Sequence, residues 1–167
     1  EVDRDGVTIR AANTGAVTII GADATNVFNI QADDILLKGF VIETSFRGVQ
    51  AAHSDDAVIL AGLVLQGLDI RPPTSGTIAV DAITIKNARF VTVENNRIRG
   101  AGNRAIQLRF TADAYVRNNQ ITQGSVTSDS FAIEFENNPN TTSLLPPVSY
   151  RPLTSVFFFS FYDFFPF

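Results

Sequence analysis

The sequence predicts an all-β solenoid: about five short coils stacked on one another. Three observations predict it. First, one unit recurs between residues 26 and 138. Residues 32–42, 54–65, 88–98 and 112–121 lie under one another with small length changes, Asp33 and Asp34 recur as Asp55 and Asp56 22 residues on, and Asn95 and Asn96 recur as Asn118 and Asn119 23 residues on. A period in the low twenties is too short for a unit to bury its own apolar face, so the units must stack. Second, apolar residues alternate with polar ones at period two, as in Ile83, Ile85 against Thr84, Lys86. The pattern restarts every five to seven residues and never settles into helical spacing. Third, Gly, Asn and Asp separate the runs, marking turns.

Residues 7–9 and 17–20 are short β-branched runs that begin the stack, punctuated by turns at residues 13–15 and 21–23. The first full coil has Phe28 and Ile30 pointing in, a turn at Asp33 and Asp34, a second strand at residues 35–37, a corner at Gly39 and a third strand at 40–42. The second has Val49 and Ala51 pointing in, a turn at Asp55 and Asp56, strands at 58–60 and 63–65, and a corner at Gly62. Its return carries an insertion at residues 70–77, where Pro72 and Pro73 exclude a central strand and predict a protruding loop. The third coil has Ile83 and Ile85 in, the fourth Ile106, Leu108 and Phe110, and the fifth Phe131, Ile133 and Phe135. Two segments result: a β-helix over residues 1–140 and an extended Pro/Phe-rich tail over 141–167. Half of the 14 phenylalanines fall in the last eleven residues. The tail reads as a lid over the open end of the solenoid, with a segment foreign to the natural domain or a surface for self-association as alternatives.

Composition narrows the function. The chain of 167 residues suits one domain, and a net charge of −4 argues against nucleic acid or anionic membrane as partners. There are no cysteines and one histidine, His53, which excludes thiolate chemistry and multi-histidine metal sites. No apolar run of 18 residues is present. The chain opens on Glu1 and contains no methionine, as a processed or excised piece would.

The unit "strand, two polar residues, V-T-V, N-N, x-I", carried by residues 82–98 and echoed by residues 105–121, resembles the right-handed, single-stranded parallel β-helix of the pectate-lyase-like superfamily. The likeness covers roughly residues 7–138. It implies three parallel sheets around a narrow core, and asparagines stacked at a bend, here Asn95 and Asn118 with Gly39 and Gly62 at the corresponding corner. It also implies an extracellular or cell-surface protein that binds or processes polysaccharide in a groove along the first sheet.

The alternation supplies the residues that face outward there. One column reads Gln31, Ala52, Lys86, Arg109, Glu136 and the other Asn29, Gln50, Thr84, Gln107, Glu134. Strands about 4.8 Å apart put successive members within reach. Elimination from a uronide needs a base and a cation, parts that Arg109 or Lys86 could take. Hydrolysis needs two carboxylates, for which Glu134 and Glu136, with Asp81, are available. Arg71, Arg104 and Gln107 are further ligand-binding candidates, and the 71–80 insertion is expected to wall the face. The alternative is a solvated ion ladder on a structural or adhesive solenoid, worth little energetically. Stacked Asp33/Asp34 and Asp55/Asp56 offer oxygens to Ca²⁺, but Arg89 and a lone Asp113 occupy the place in later coils, so turn formation is the favoured reading, and no other cofactor is implied. His53 reads as hydrogen-bonded packing. Asn140-Thr141-Thr142 is a glycosylation sequon.

Overall fold

The computed structural model describes residues 1–74, 76–124 and 131–136. Among them there is no helix; fourteen strands occur. They are β1 (Thr8–Arg10), β2 (Val17–Ile20), β3 (Asn26–Ile30), β4 (Leu36–Lys38), β5 (Phe40–Glu43), β6 (Arg47–Ala51), β7 (Leu60–Ala61), β8 (Val64–Gln66), β9 (Asp69–Arg71), β10 (Ile83–Glu94), β11 (Arg97–Ala101), β12 (Arg104–Arg117), β13 (Gln120–Gln123) and β14 (Phe131–Glu136). Every pairing between them is parallel, and no strand pairs with its chain neighbour. That is the topology of a β-solenoid, in which each strand bonds to its counterpart one coil away.

All the strands but β7, which pairs with the middle of β10 at the corner between the first two faces, fall into three faces. The first holds β3, β6, the opening half of β10, the opening half of β12, and β14. The second holds β1, β4, β8 and the closing halves of β10 and β12. The third holds β2, β5, β9, β11 and β13. The first two faces share one hydrogen-bonded sheet, because β10 and β12 run through the corner between them. Five strands on the first face enclose four complete turns.

Alternation within these strands fills the interior. Val49, Ile83, Ile85 and Ile106 from the first face, Leu37, Leu65, Val91 and Val93 from the second, and Ile42, Ile70 and Ile98 from the third are all completely buried. Each such side chain contributes about 1.5–3 kcal/mol through removal from water. Phe131 and Phe135, at inward positions of β14, remain 45% and 48% exposed.

The corners explain the turn residues. Gly6, Asp34, Gly62, Phe90 and Asp113 occupy one corner position in successive coils, and all have φ between 49° and 73°. Gly39, Gly67, Asn95 and Asn118 occupy the next, with φ between 54° and 81°. A positive φ is cheap for Gly and tolerable for Asn and Asp, which is why these residues recur.

This register corrects several sequence expectations. Gly39 does share its corner with Asn95, but Gly62 belongs to the other column. Asp33 and Asp34 stack against Ala61 and Gly62, with Asp34 N–H donating to the Ala61 carbonyl (2.8 Å) and Asp33 Oδ1 accepting from Ala61 N–H (2.8 Å). They do not stack on Asp55 and Asp56, which lie in an exposed insertion between β6 and β7. Ile30 lies beside Ala51, 21 positions on, whereas Leu36 lies beside Val64, 28 positions on, so this corner holds seven extra residues. Val58 is exposed, and of the expected 58–60 strand only Leu60 is extended, pairing together with Ala61. Phe110 turns a corner at φ 51°, opposite Asn87, instead of pointing in.

The stacked amides belong to the second asparagine of each pair. Asn96 is buried; its Nδ2 donates to the Leu65 carbonyl (3.1 Å) and to Asn119 Oδ1 (3.0 Å), and its Oδ1 accepts from Leu68 N–H (2.9 Å). Asn95 and Asn118 are exposed and supply the corner's backbone geometry. The 70–77 insertion also starts later than expected, since Asp69–Arg71 is a strand with Ile70 buried. Beyond Arg71 the chain lies flat on the third face: Ile78 is buried and bridges to Ala101, and a Cβ at Gly100 would meet Pro72 Cδ at 2.9 Å. The expected C-terminal cap, the Phe-rich tail and the sequon lie outside the described residues.

Candidate functional site

The outward columns expected on the first face are present. Gln50, Thr84, Gln107 and Glu134 stand in one register row, and Lys86, Arg109 and Glu136 in the other. All of these but Glu134 line an open cleft of about 380 Å³ with Arg47, Ala52, Asp81 and Arg104. Glu134 borders it through Arg104 and Gln107. Gln107 faces outward but is covered by these neighbours and is only 5% exposed. Of the residues expected to bind or act, Lys86, Arg109, Glu136, Asp81, Arg104 and Gln107 line one cleft, and Glu134 flanks it.

Arg71 is elsewhere. It lies on the third face, where it bonds to Glu43 (2.7 Å) and approaches Asp69 (3.5 Å). No described residue of the 71–80 segment lines the cleft, so the expected wall is absent from it.

The cleft floor is built by residues at strand starts. Arg47, Asp81 and Arg104 each precede a buried first-face residue, Val49, Ile83 and Ile106, by two positions. Strict alternation would point them into the core, where an ionised group is prohibitively desolvated. The chain instead turns each outward before the buried strand begins. Asp81, whose side chain is 6% exposed, is the hub. It accepts from Thr84 Oγ1 (3.1 Å), Asn103 Nδ2 (3.1 Å) and Arg104 (3.5 Å), and lies 4.0 Å from Arg47. Arg47 also donates to Gln50 Oε1 (2.5 Å) and, at 3.4 Å, to Asn26 Oδ1, while its Nε is buried without an acceptor among the described residues. Arg47 is the residue that sequence reasoning missed. Its signal was a charge at an inward position at the very start of a strand.

The remaining cations differ in how firmly they are held. Arg104 lies between Asp81 and Glu134. Arg109 donates to Glu136 Oε1 (3.0 Å), with its Nε 2.8 Å from Oε2 but off-line for a hydrogen bond. Lys86 reaches out of the row altogether, to Asp56 (2.9 Å) in the corner insertion. Burial lowers the pKa of Arg47, opposed in part by Asp81. Burial acts on Arg104 in the same direction, but Asp81 and Glu134 outweigh it and raise the pKa. Arginine begins so far above neutrality that both remain cations.

Other candidates resolve into structure. His53 is half-buried, and its Nδ1 accepts from Asp55 N–H (3.0 Å), as hydrogen-bonded packing requires. Asp55 Oδ1 accepts from Ala57 N–H (2.9 Å), an Asx turn. Among the described residues no group of three or more His, Asp or Glu converges on a point that could hold a metal ion, Ca²⁺ included. Tyr115, 53% exposed, lies on the second face and Phe90, 57% exposed, at the corner before it, and among the described residues no aromatic side chain lines the cleft. No helix among the described residues is long and apolar enough to cross a membrane.

No protein-family model, curated protein or solved structure matches the chain.

Proposed function

We propose that the chain is a carbohydrate-interacting β-solenoid, extracellular or displayed at a cell surface, whose first face holds an acidic polysaccharide. One observation carries the reading: an acidic chain gathers four cations, Arg47, Lys86, Arg104 and Arg109, in one cleft with the neutral side chains of Gln50, Thr84 and Gln107. Against them stand Asp81 and Glu136, with Glu134 beside. Asp56, paired with Lys86 from the corner insertion, brings the carboxylates to four, so the charges balance, and cations set among hydrogen-bonding groups suit a ligand that alternates carboxylates with hydroxyls. The resemblance to pectate-lyase-like β-helices adds to this reading. Binding is favoured over turnover, because Glu134 and Glu136 are both engaged by arginines and Arg109 is engaged in return.

A structural or adhesive solenoid is the second reading. Its support is that comparable ladders occur away from the cleft: Glu43, Arg71, Asp69 and Arg99 on the third face, and Gln66, Glu94 and Arg117 on the second. A panel of acidic and neutral polysaccharides separates the two. Binding of acidic chains that weakens with salt is expected, with neither unsaturated products nor new reducing ends. Arg109→Ala is expected to weaken it about tenfold, the worth of one charge-assisted hydrogen bond, while Arg97→Ala, exposed on the third face, leaves it unchanged. Absence of binding to every acidic polysaccharide sinks the carbohydrate reading and leaves the scaffold.

A further inference from the structure

The four cations of the cleft are not equally available. Arg104 has two carboxylate partners and Arg109 meets both oxygens of Glu136. Arg47 is three-quarters or more covered and tied to Gln50 and Asn26. Among the described residues Lys86 has one charged partner, Asp56, whose side chain is 73% exposed. An exposed pair of this kind is worth little, because water screens it and both side chains must be held still.

Asp56 also arrives from an unusual place. It is not part of the first-face row but sits in the seven-residue corner insertion, among the exposed residues Ser54, Asp55, Ala57 and Val58. Ala52, at the root of that insertion, lines the cleft. The insertion folds back so that Asp56 delivers its carboxylate to Lys86 Nζ (2.9 Å) and its carbonyl to Asn87 Nδ2 (2.9 Å). The chain therefore demonstrates that a carboxylate fits at Lys86.

We propose that Lys86 is the carboxylate-reading subsite of the cleft and that Asp56 is an internal stand-in for the ligand, displaced when an acidic sugar binds. This rests on the carbohydrate reading above. The ligand group is an anion the size of a carboxylate, whether a uronic-acid carboxylate or a sulfate ester. On binding, the ligand replaces Asp56 at Lys86 and the side chain of Asp56 returns to water, which its exposure makes inexpensive. The insertion then tunes affinity from outside the cleft and selects against weakly charged chains, which cannot compete with Asp56.

The test uses a uronic-acid oligosaccharide, its carboxyl-reduced counterpart and a sulfated oligosaccharide of equal charge, with affinity read by calorimetry on the full chain. Asp56→Asn is expected to tighten the charged ligands about two- to fivefold, the equilibrium equivalent of an exposed ion pair, and to leave the reduced one unchanged. Asp55→Asn removes the same charge one residue away while keeping the cap on Ala57, and is expected to have no such effect. In a Lys86→Gln background, Asp56→Asn is expected to lose its gain. Whichever charged oligosaccharide shows the gain identifies the anion that Lys86 reads. Equal gains from Asp55→Asn and Asp56→Asn, or a gain that survives Lys86→Gln, overturn the proposal by reducing it to a general charge effect. Binding that Asp56→Asn leaves unaltered overturns it while the carbohydrate reading stands. Absence of binding to any charged oligosaccharide overturns both.

Discussion

At the scale of single residues, the fold is governed by which backbones can take a positive φ. Gly62 sits at φ 73°, and a Cβ there would fall on Asp34 Oδ1 and 3.2 Å from the Asp34 Cα. Gly62→Ala is therefore expected to cost about 1–3 kcal/mol, combining left-handed strain with displacement of the coil below. Gly76 has open space around it and no positive φ, so Gly76→Ala is expected to lie within about 0.5 kcal/mol of the parent. Urea denaturation of the two variants checks the contrast. The same physics limits how far a sequence betrays its corners. Asn and Gly announce a left-handed corner, but Phe90 and Phe110 adopt it at φ 55° and 51° with nothing in their chemistry to signal it. Arg47 was hidden for a related reason, since alternation assigns its position to the core and only the cost of burying charge turns it out.

At the scale of elements, the outward columns of the first face were legible because a period of two fixes every later side chain once one buried residue is known. Lys86, Arg109 and Glu136 stand in the expected row for that reason. Corner lengths were not legible, since alternation does not run through a corner and leaves the number of residues there unconstrained. That is why Asp55 and Asp56 were matched to Asp33 and Asp34 by composition, although Ala61 and Gly62 are their true partners. Asn96 illustrates how a corner is then satisfied. Its counterparts in earlier coils, Phe40 and Leu68, are apolar and buried, so a leucine fits the space. Yet Asn96→Leu is expected to cost about 2–4 kcal/mol, because the Leu68 amide and Leu65 carbonyl lose their partners inside the protein. Thermal or urea unfolding reads the loss, and a neutral result would mean that these groups find other partners.

At the scale of the whole molecule, parallel stacking makes the three faces independent of what happens between them. Seven additional residues enter between β6 and β7, yet Val49, Ala51, Val64 and Leu65 keep their places beside their neighbours. The backbone thus has a socket that tolerates cargo. Eight Gly/Ser residues grafted between Ala57 and Val58 are expected to shift stability by about 1 kcal/mol or less, since doubling a loop adds only about 0.6 kcal/mol of closure entropy. The same graft between Val91 and Thr92, inside β10, throws the next residues off their faces and is expected to remove most of the stability, as urea midpoints of the two grafts will report. Because this socket opens beside the cleft, whatever is spliced there is carried to the rim of the face that meets the ligand.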